Sequence, residues 1–274
     1  MPAKLSTGLE LILCACEKEL YIILTDNDEL VCAHVWAMQD RSTEILAPDL
    51  KQILTLSGHT VPEIRRIGCV SGPGSFTGTR LVLATAAALR RGSGAQIASL
   101  DYMSALATTI AHTKDVPYGH HIWILTHARR NLVHARPFMS YGPAMPPEPL
   151  AEVQLMSCAQ AVQAVIRTAQ DSKSLVYVAG SSLTRDPEVL AGLEAENTDR
   201  LIPCLTRRPS VDGLIMLSRD AEFVEKDVDP VYVRPCDAIE NLPSLSERMG
   251  RNAEQSVREL DRLLSRTPDD QVGL

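Results

Sequence analysis

A glycine-rich turn between an apolar strand and an alanine-rich helix constrains this fold more than any other feature of the sequence. Gly72, Gly74 and Gly78 lie within seven residues, directly after the apolar run Ile67 to Val70. Glycine has no Cβ, so these positions allow positive φ angles and close backbone contacts that other residues prevent. Helical spacing of apolar residues follows from Thr79 to Arg91. The segment is therefore predicted to be a strand-to-helix corner of an α/β domain.

The corner has two open interpretations, a structural turn and an anion site. A helix N-terminus carries free N–H groups and partial positive charge, so an anion could bind there. However, no Gly-Lys-Ser/Thr follows, and the spacing is Gly-x-Gly-x-x-x-Gly, which matches neither common nucleotide motif. Ser75 and Thr77 lack a His/Asp pattern nearby, so both are interpreted as capping residues, with Thr77 as the N-cap.

The order of predicted elements repeats once along the chain. Residues 9–36 read as three strands, and a helix near 43–56 is followed by strand, helix, strand and helix. The second half opens with two strands, His121 to Thr126 and Leu132 to Phe138, and Ser157 caps its first helix. A βββαβα unit used twice is the layout of the actin/Hsp70/sugar-kinase superfamily. The predicted class is therefore an α/β, ribonuclease H-like fold with two subdomains.

This repeat predicts the domain boundaries. Residues 1–115 would form the first ribonuclease H-like subdomain and residues 116–244 the second. Residues 245–266 carry apolar side chains at helical spacing, and this helix is expected to pack on its own domain or to bind a partner. Residues 267–274 are predicted to be a frayed tail.

Composition limits the classes of function. Lysine and arginine number 27 against 34 acidic residues, so the formal charge is −7. Contact with a nucleic acid would then run through a partner or a local basic patch. The seven cysteines include no Cys-x-x-Cys pair, so buried, reduced thiols and no metal site are predicted. No apolar run is long enough to cross a bilayer, and a soluble, cytoplasmic protein is expected.

The nine residues Gly72-Pro73-Gly74-Ser75-Phe76-Thr77-Gly78-Thr79-Arg80 resemble the hallmark of the TsaB family, also called YeaZ. Pro230-Val231-Tyr232-Val233-Arg234 is similar to a second family segment, and Ser42 to Pro48 loosely resembles the start of the family's first helix. The resemblance spans about residues 10–235. It implies a non-catalytic subunit of the complex that places threonylcarbamoyl on a tRNA adenosine. Its implied partners are a TsaD-type catalytic subunit, which it binds and activates, a TsaE-type ATPase and, indirectly, tRNA.

The resemblance also implies where the partners bind. In the family, pairing runs through first-subdomain helices, here about Thr43 to Leu56 and Thr79 to Arg91. The small residues of the second helix permit close approach, so a homodimer of the isolated chain is expected to use the same face. No cofactor is required, beyond a nucleotide that could be shared with TsaD. The interface and motif residues so implied are Gly72, Pro73, Gly74, Ser75, Phe76, Thr77, Gly78, Arg80, Leu81, Ala84 and Ala88.

The sequence departs from the family at two acidic positions. Where the family has an aspartate after its first strand, this chain has Cys14, and His127 replaces the aspartate of the second subdomain. In kinases of the superfamily the first aspartate helps to hold the metal and phosphate, so ATP hydrolysis by this chain alone is not expected. Two alternatives stay open: a kinase, ATPase or peptidase-like enzyme of the same superfamily, and a self-assembling actin-like module.

Several arginines are candidate nucleic-acid contacts. Arg129 and Arg130 lie at the predicted tip of a hairpin and could contact tRNA. A solvated turn is the alternative interpretation, and it is the one favoured by the sequence. Arg207 and Arg208 have the same two interpretations. Arg80 could pair with a carboxylate or phosphate across an interface, or form a local salt bridge.

Overall fold

The computed structural model describes residues 8–37, 41–196 and 198–231, and residues 233, 246, 252, 255 and 258 singly. The chain divides into two compact units, Met1–Val233 and Arg234–Leu274. All elements given below belong to the first unit. The predicted helix 245–266 lies outside the described residues except at four positions, and the predicted tail 267–274 lies outside entirely. The boundary predicted between residues 115 and 116 stays a prediction.

The first sheet has five strands, and three helices accompany it. These elements are β1 (Leu9–Cys14), β2 (Glu19–Asp26), β3 (Glu29–Ala37), α1 (Ser42–Ser57), β4 (Ile64–Gly72), α2 (Phe76–Ser93), β5 (Gln96–Asp101) and α3 (Tyr102–Thr113). The strand order is β3-β2-β1-β4-β5. The first three strands form an antiparallel meander, whereas β4 and β5 run parallel to β1.

The second sheet has six strands and repeats this plan. Its elements are β6 (His121–Arg129), β7 (Leu132–Met139), β8 (Glu148–Pro149), β9 (Gln154–Ser157), α4 (Cys158–Asp171), β10 (Val176–Ala179), α5 (Ser182–Arg185), α6 (Pro187–Ala195), β11 (Leu201–Cys204) and α7 (Val211–Arg219). The order is β11-β10-β6-β7-β8, and β9 also pairs with β7. Strands β6, β10 and β11 are parallel. The α/β, ribonuclease H-like class with a repeated βββαβα unit is thereby confirmed.

Three apolar clusters separate the layers. Alternate residues of β1 point to opposite faces, as the period of two in a strand requires. Leu11 and Leu13 pack with α1 and α2, whereas Ile12 and Cys14 pack with α3 and α7. The cluster that contains Ile12 and Cys14 also includes residues of β6 and β10, so α3 and α7 lie between the two sheets. The third cluster packs α4 and α6 on the far face of the second sheet.

The first helix, predicted near 43–56, spans Ser42–Ser57. The residue before it is Arg41, and no side chain caps this terminus. Pro48 lies inside α1, and Gly58 ends the helix in a left-handed conformation. The short elements β8, β11 and α5 were not predicted, because two to four residues carry no readable periodicity.

Two further properties of the described residues are the state of their cysteines and the character of their helices. Six cysteines lie in the described ranges, all of them are free thiols, and only Cys32 is not fully buried. Within the same ranges, no helix combines the length and apolar character that crossing a membrane demands.

Candidate functional site

The glycine-rich corner joins the end of β4 to the start of α2. Ser75 caps the helix, because its Oγ accepts a hydrogen bond from the Gly78 N–H at 3.2 Å. The predicted cap, Thr77, is instead the second residue of α2. The Ser75 N–H donates to the Cys16 carbonyl oxygen at 2.5 Å. Two N–H groups that could hold an anion are therefore bonded within the chain.

The glycines of this corner are required by close backbone packing. A Cβ at Gly74 would lie within 3.0 Å of the Cys16 carbonyl oxygen, and one at Gly78 would be equally close to that of Ala15. Gly72 has a φ of 128°, a region that other residues rarely adopt. Because of these glycines, the first turn of α2 packs directly against the backbone of Ala15 and Cys16, which follow β1.

Two motif side chains stack on the surface beside this corner. The Arg80 Cζ lies 3.7 Å from the centroid of the Phe76 ring, in a cation–π arrangement. Phe76 is 40% exposed, and Arg80 and Thr77 are exposed as well. The pair presents an apolar ring and a positive charge together, a combination common at protein interfaces.

An apolar groove runs between α1 and α2, next to the stacked pair. Its volume is about 650 Å³. Its lining residues are Ala47, Leu50, Lys51, Leu54, Thr55, Thr60, Val61, Ala84, Thr85, Ala88 and Leu89. Ala84 and Ala88 are exposed, and Leu81 is partly buried. Leu56, near the end of α1, is 75% exposed. The small side chains on α2 leave room for a further helix to approach.

Cys14, at the first position that lacks the family's aspartate, is completely buried. It ends β1 inside the layer between the sheets. Its neighbour Cys16 is also buried, and hydrogen bonding to Cys14, together with burial, raises the pKa of the Cys16 thiol well above its ordinary value. The end of β1 therefore offers buried thiols inside a core and no carboxylate to hold a metal or phosphate.

His127, at the second such position, pairs with a carboxylate from elsewhere in the chain. Its Nδ1 lies 2.8 Å from the Asp186 Oδ1, and Asp186 itself is buried. The His127 backbone N–H donates to the Ser181 Oγ at 3.0 Å. The Asp186 carboxylate therefore lies beside the end of β6, but it already pairs with the His127 imidazole.

Glu17 connects the turn after β1 with the corner after β10. The space between these two segments is called the cleft below. The Ser181 Oγ donates to the Glu17 carboxylate at 2.5 Å. Burial raises the pKa of Glu17 to about 7, although the hydrogen bond from Ser181 and the charge of Arg185 act in the opposite direction. Sequence reasoning missed Glu17 and Asp186, because neither belongs to a local motif.

One group of potential metal ligands exists among the described residues. Oxygen or sulfur atoms of Cys158, Asp186 and Glu188 lie within 4.8 Å of one another. Asp186 and Glu188 flank the N-terminus of α6, where acidic groups offset the helix dipole. Burial raises the pKa of the Cys158 thiol to about 11, so it is protonated at neutral pH. Asp186 pairs with His127 and Glu188 lies in the first turn of α6, so both acids are accounted for and no metal is assigned.

Comparisons with known proteins agree with this architecture. The family model described as TsaD, tRNA N6-adenosine threonylcarbamoyltransferase, matches residues 37–175. No curated protein matches the sequence significantly. A Pseudomonas aeruginosa protein described as uncharacterized, with similarity to peptidase YEAZ, superposes with a TM-score of 0.67 at 16% identity, over 83% of this chain and 100% of its own. YeaZ from Pseudomonas aeruginosa gives 0.63 at 14% identity, over 82% and 99%.

Proposed function

Because this chain belongs to the TsaD family, whose model is described as tRNA N6-adenosine threonylcarbamoyltransferase and matches just over half of its residues, we propose that it is a partner subunit in tRNA threonylcarbamoylation. It has the fold of YeaZ. In this proposal it binds and activates a TsaD-type catalytic subunit and performs no chemistry itself. A TsaE-type ATPase completes the complex, and tRNA is the substrate of the assembled complex.

The observation that carries the proposal is the groove between α1 and α2. It is apolar and open to solvent, and an exposed leucine, Leu56, lies at one end of α1. Exposed apolar surface of this kind marks sites of protein association. Alanines at positions 84 and 88 permit close approach by a partner helix, which would pack against α1 and α2 as a bundle.

The proposed lack of catalysis is supported by the cleft. Metal and phosphate chemistry in this superfamily needs a carboxylate at the end of the first strand, where Cys14 is buried. Two carboxyl groups of this region, Glu17 and Asp186, are already hydrogen-bonded to Ser181 and His127. A nucleotide, if the complex uses one, is therefore proposed to bind at a face shared with the catalytic subunit.

The proposed interface is tested by substituting an arginine for an alanine that lines the groove. Ala88→Arg would place a charge against Leu50 and Leu54 and fill the space that a partner helix needs. We expect it to raise the Kd for the TsaD-type subunit of the same organism at least about thirtyfold, which corresponds to about 2 kcal/mol. Isothermal titration calorimetry, with and without ATP, measures this directly.

Ala191→Arg is the matched control, because Ala191 is an exposed alanine on α6, far along the chain from the groove. It is expected to bind like the parent chain. The proposal fails if the parent chain forms no complex in either condition, or if both variants bind equally well. We also expect the isolated chain to be a homodimer through the same groove, which light scattering should show converting to a monomer in Ala88→Arg.

A further inference from the structure

We propose that the carboxyl edge of the second sheet is an RNA-binding surface, formed by arginines that are distant in sequence. The inference rests on the proposed function for the identity of the nucleic acid, but it concerns a different face from the α1–α2 groove. The arginines are Arg129 and Arg130 at the end of β6, Arg185 at the end of α5, which follows β10, and Arg207 and Arg208 after β11.

The sheet topology brings these residues to the same edge of the sheet. Strands β6, β10 and β11 are adjacent and parallel, so their carboxyl ends point to one edge, where β6 continues five residues past Ile124, the partner of Ala179. Two hydrogen bonds hold the emerging segments together. The His127 N–H donates to the Ser181 Oγ at 3.0 Å, and the Gly180 N–H donates to the Thr206 carbonyl oxygen at 3.0 Å.

The exposed charge at this edge is positive, in contrast to the whole chain. All five arginines are exposed, and Lys18 adds a sixth positive charge from the facing turn. Acidic residues also lie on the segments around this edge. Glu17 and Asp186 are hydrogen-bonded to Ser181 and His127, Glu19 lies 3.7 Å from Arg208, and Glu188 and Asp212 are exposed. Among these described residues, six exposed positive side chains stand against two exposed acidic ones, on a chain whose formal charge is −7.

The chemistry of the edge favours a phosphate backbone over an acidic peptide. Guanidinium groups bind phosphate oxygens in a bidentate manner, and arginine supplies five of the six charges. Three adjacent strand ends span roughly 10 Å, because neighbouring strands lie about 4.8 Å apart. A nucleic-acid strand carries one charge per about 3.4 Å, so such an edge meets several phosphates at once.

The test measures binding of a fluorescently labelled, unmodified tRNA transcript to the full chain between about 50 and 200 mM salt. Two double variants remove the charges, Arg129→Ala with Arg130→Ala and Arg207→Ala with Arg208→Ala. Each is expected to weaken binding about tenfold and to reduce the slope of log K against log salt by about 1.5 to 2. Arg167→Ala with Lys173→Ala is the control, since these exposed residues lie at the opposite edge.

The outcomes separate this inference from the proposed function. The inference is overturned if the parent chain does not bind the transcript, if the control pair has the same effect, or if poly-glutamate competes as well as unlabelled tRNA. It is upheld if only the edge variants lose affinity while all variants still bind the TsaD-type subunit. Loss of the subunit complex with intact tRNA binding would instead contradict the proposed function alone.

Discussion

Replacing Gly78 by alanine is expected to lower the free energy of unfolding by more than about 3 kcal/mol. Gly78 lies in the first turn of α2, where helix propensity by itself would favour alanine by about 1 kcal/mol. The new Cβ would collide with the Ala15 carbonyl oxygen, which is backbone and cannot rotate away. The steric cost therefore exceeds the gain in propensity, and α2 must shift away from β1.

Gly92→Ala is the matched control for this prediction, because Gly92 lies in the same helix. A Cβ there would lie 3.4 Å from the nearest atom, the Val61 Cγ1, which belongs to a side chain. This variant should be as stable as the parent chain or more stable by up to about 1 kcal/mol. Denaturant unfolding, with midpoint and slope fitted together, compares them. Equal stability of the two variants would show that the corner does not require its glycines for packing.

Replacing Glu17 by glutamine is expected to remove a pH-dependent loss of stability. The folded chain holds the proton on Glu17 up to about pH 7, whereas an unfolded chain releases it near 4.5. Between these values the folded state binds more protons, so stability falls as pH rises. The difference corresponds to about 3 kcal/mol, present in full above about pH 7 and absent below about pH 4.5.

The glutamine variant retains an oxygen that can accept the hydrogen bond from Ser181, but it has no charge to bury. It should therefore be more stable than the parent chain at pH 8 and similar to it at pH 4.5. Arg185, Glu19 and Tyr102 also face Glu17, and they are unchanged in this variant. Urea midpoints across this range measure the effect, with Glu222→Gln, an exposed glutamate, as control. Parallel pH profiles for parent and Glu17→Gln would contradict the prediction.

The cleft and the groove have opposite physical characters. Side chains from both halves close the cleft, through Glu17 with Ser181 and through the layer shared by α3 and α7. The groove between α1 and α2 is open and apolar. Binding energy is therefore available on the outer face of the first half, where association can bury apolar surface, rather than between the sheets.

The fold class, the order of the longer elements and the corner at Gly72 to Gly78 were determined by the sequence alone. Periodicity of two in the strands and of 3.6 in α2 and α4 is a local property, so it is readable without knowing the neighbours. The alanines of α2 also identified a small-residue face before its groove was visible. Thr77 was wrongly chosen as the cap because the choice between it and Ser75 depends on where the chain turns.

Only the tertiary structure decided which distant residues meet. Glu17 and Ser181 are 164 positions apart, and His127 and Asp186 are 59 apart. The arginines after β6, β10 and β11 share an edge because those strands are parallel neighbours. No local pattern encodes such contacts, since they depend on sheet order and on the packing of α3 and α7 between the sheets. The sequence therefore determined the elements, whereas the cleft, the groove and the basic edge arise from burial and strand pairing between segments far apart in the chain.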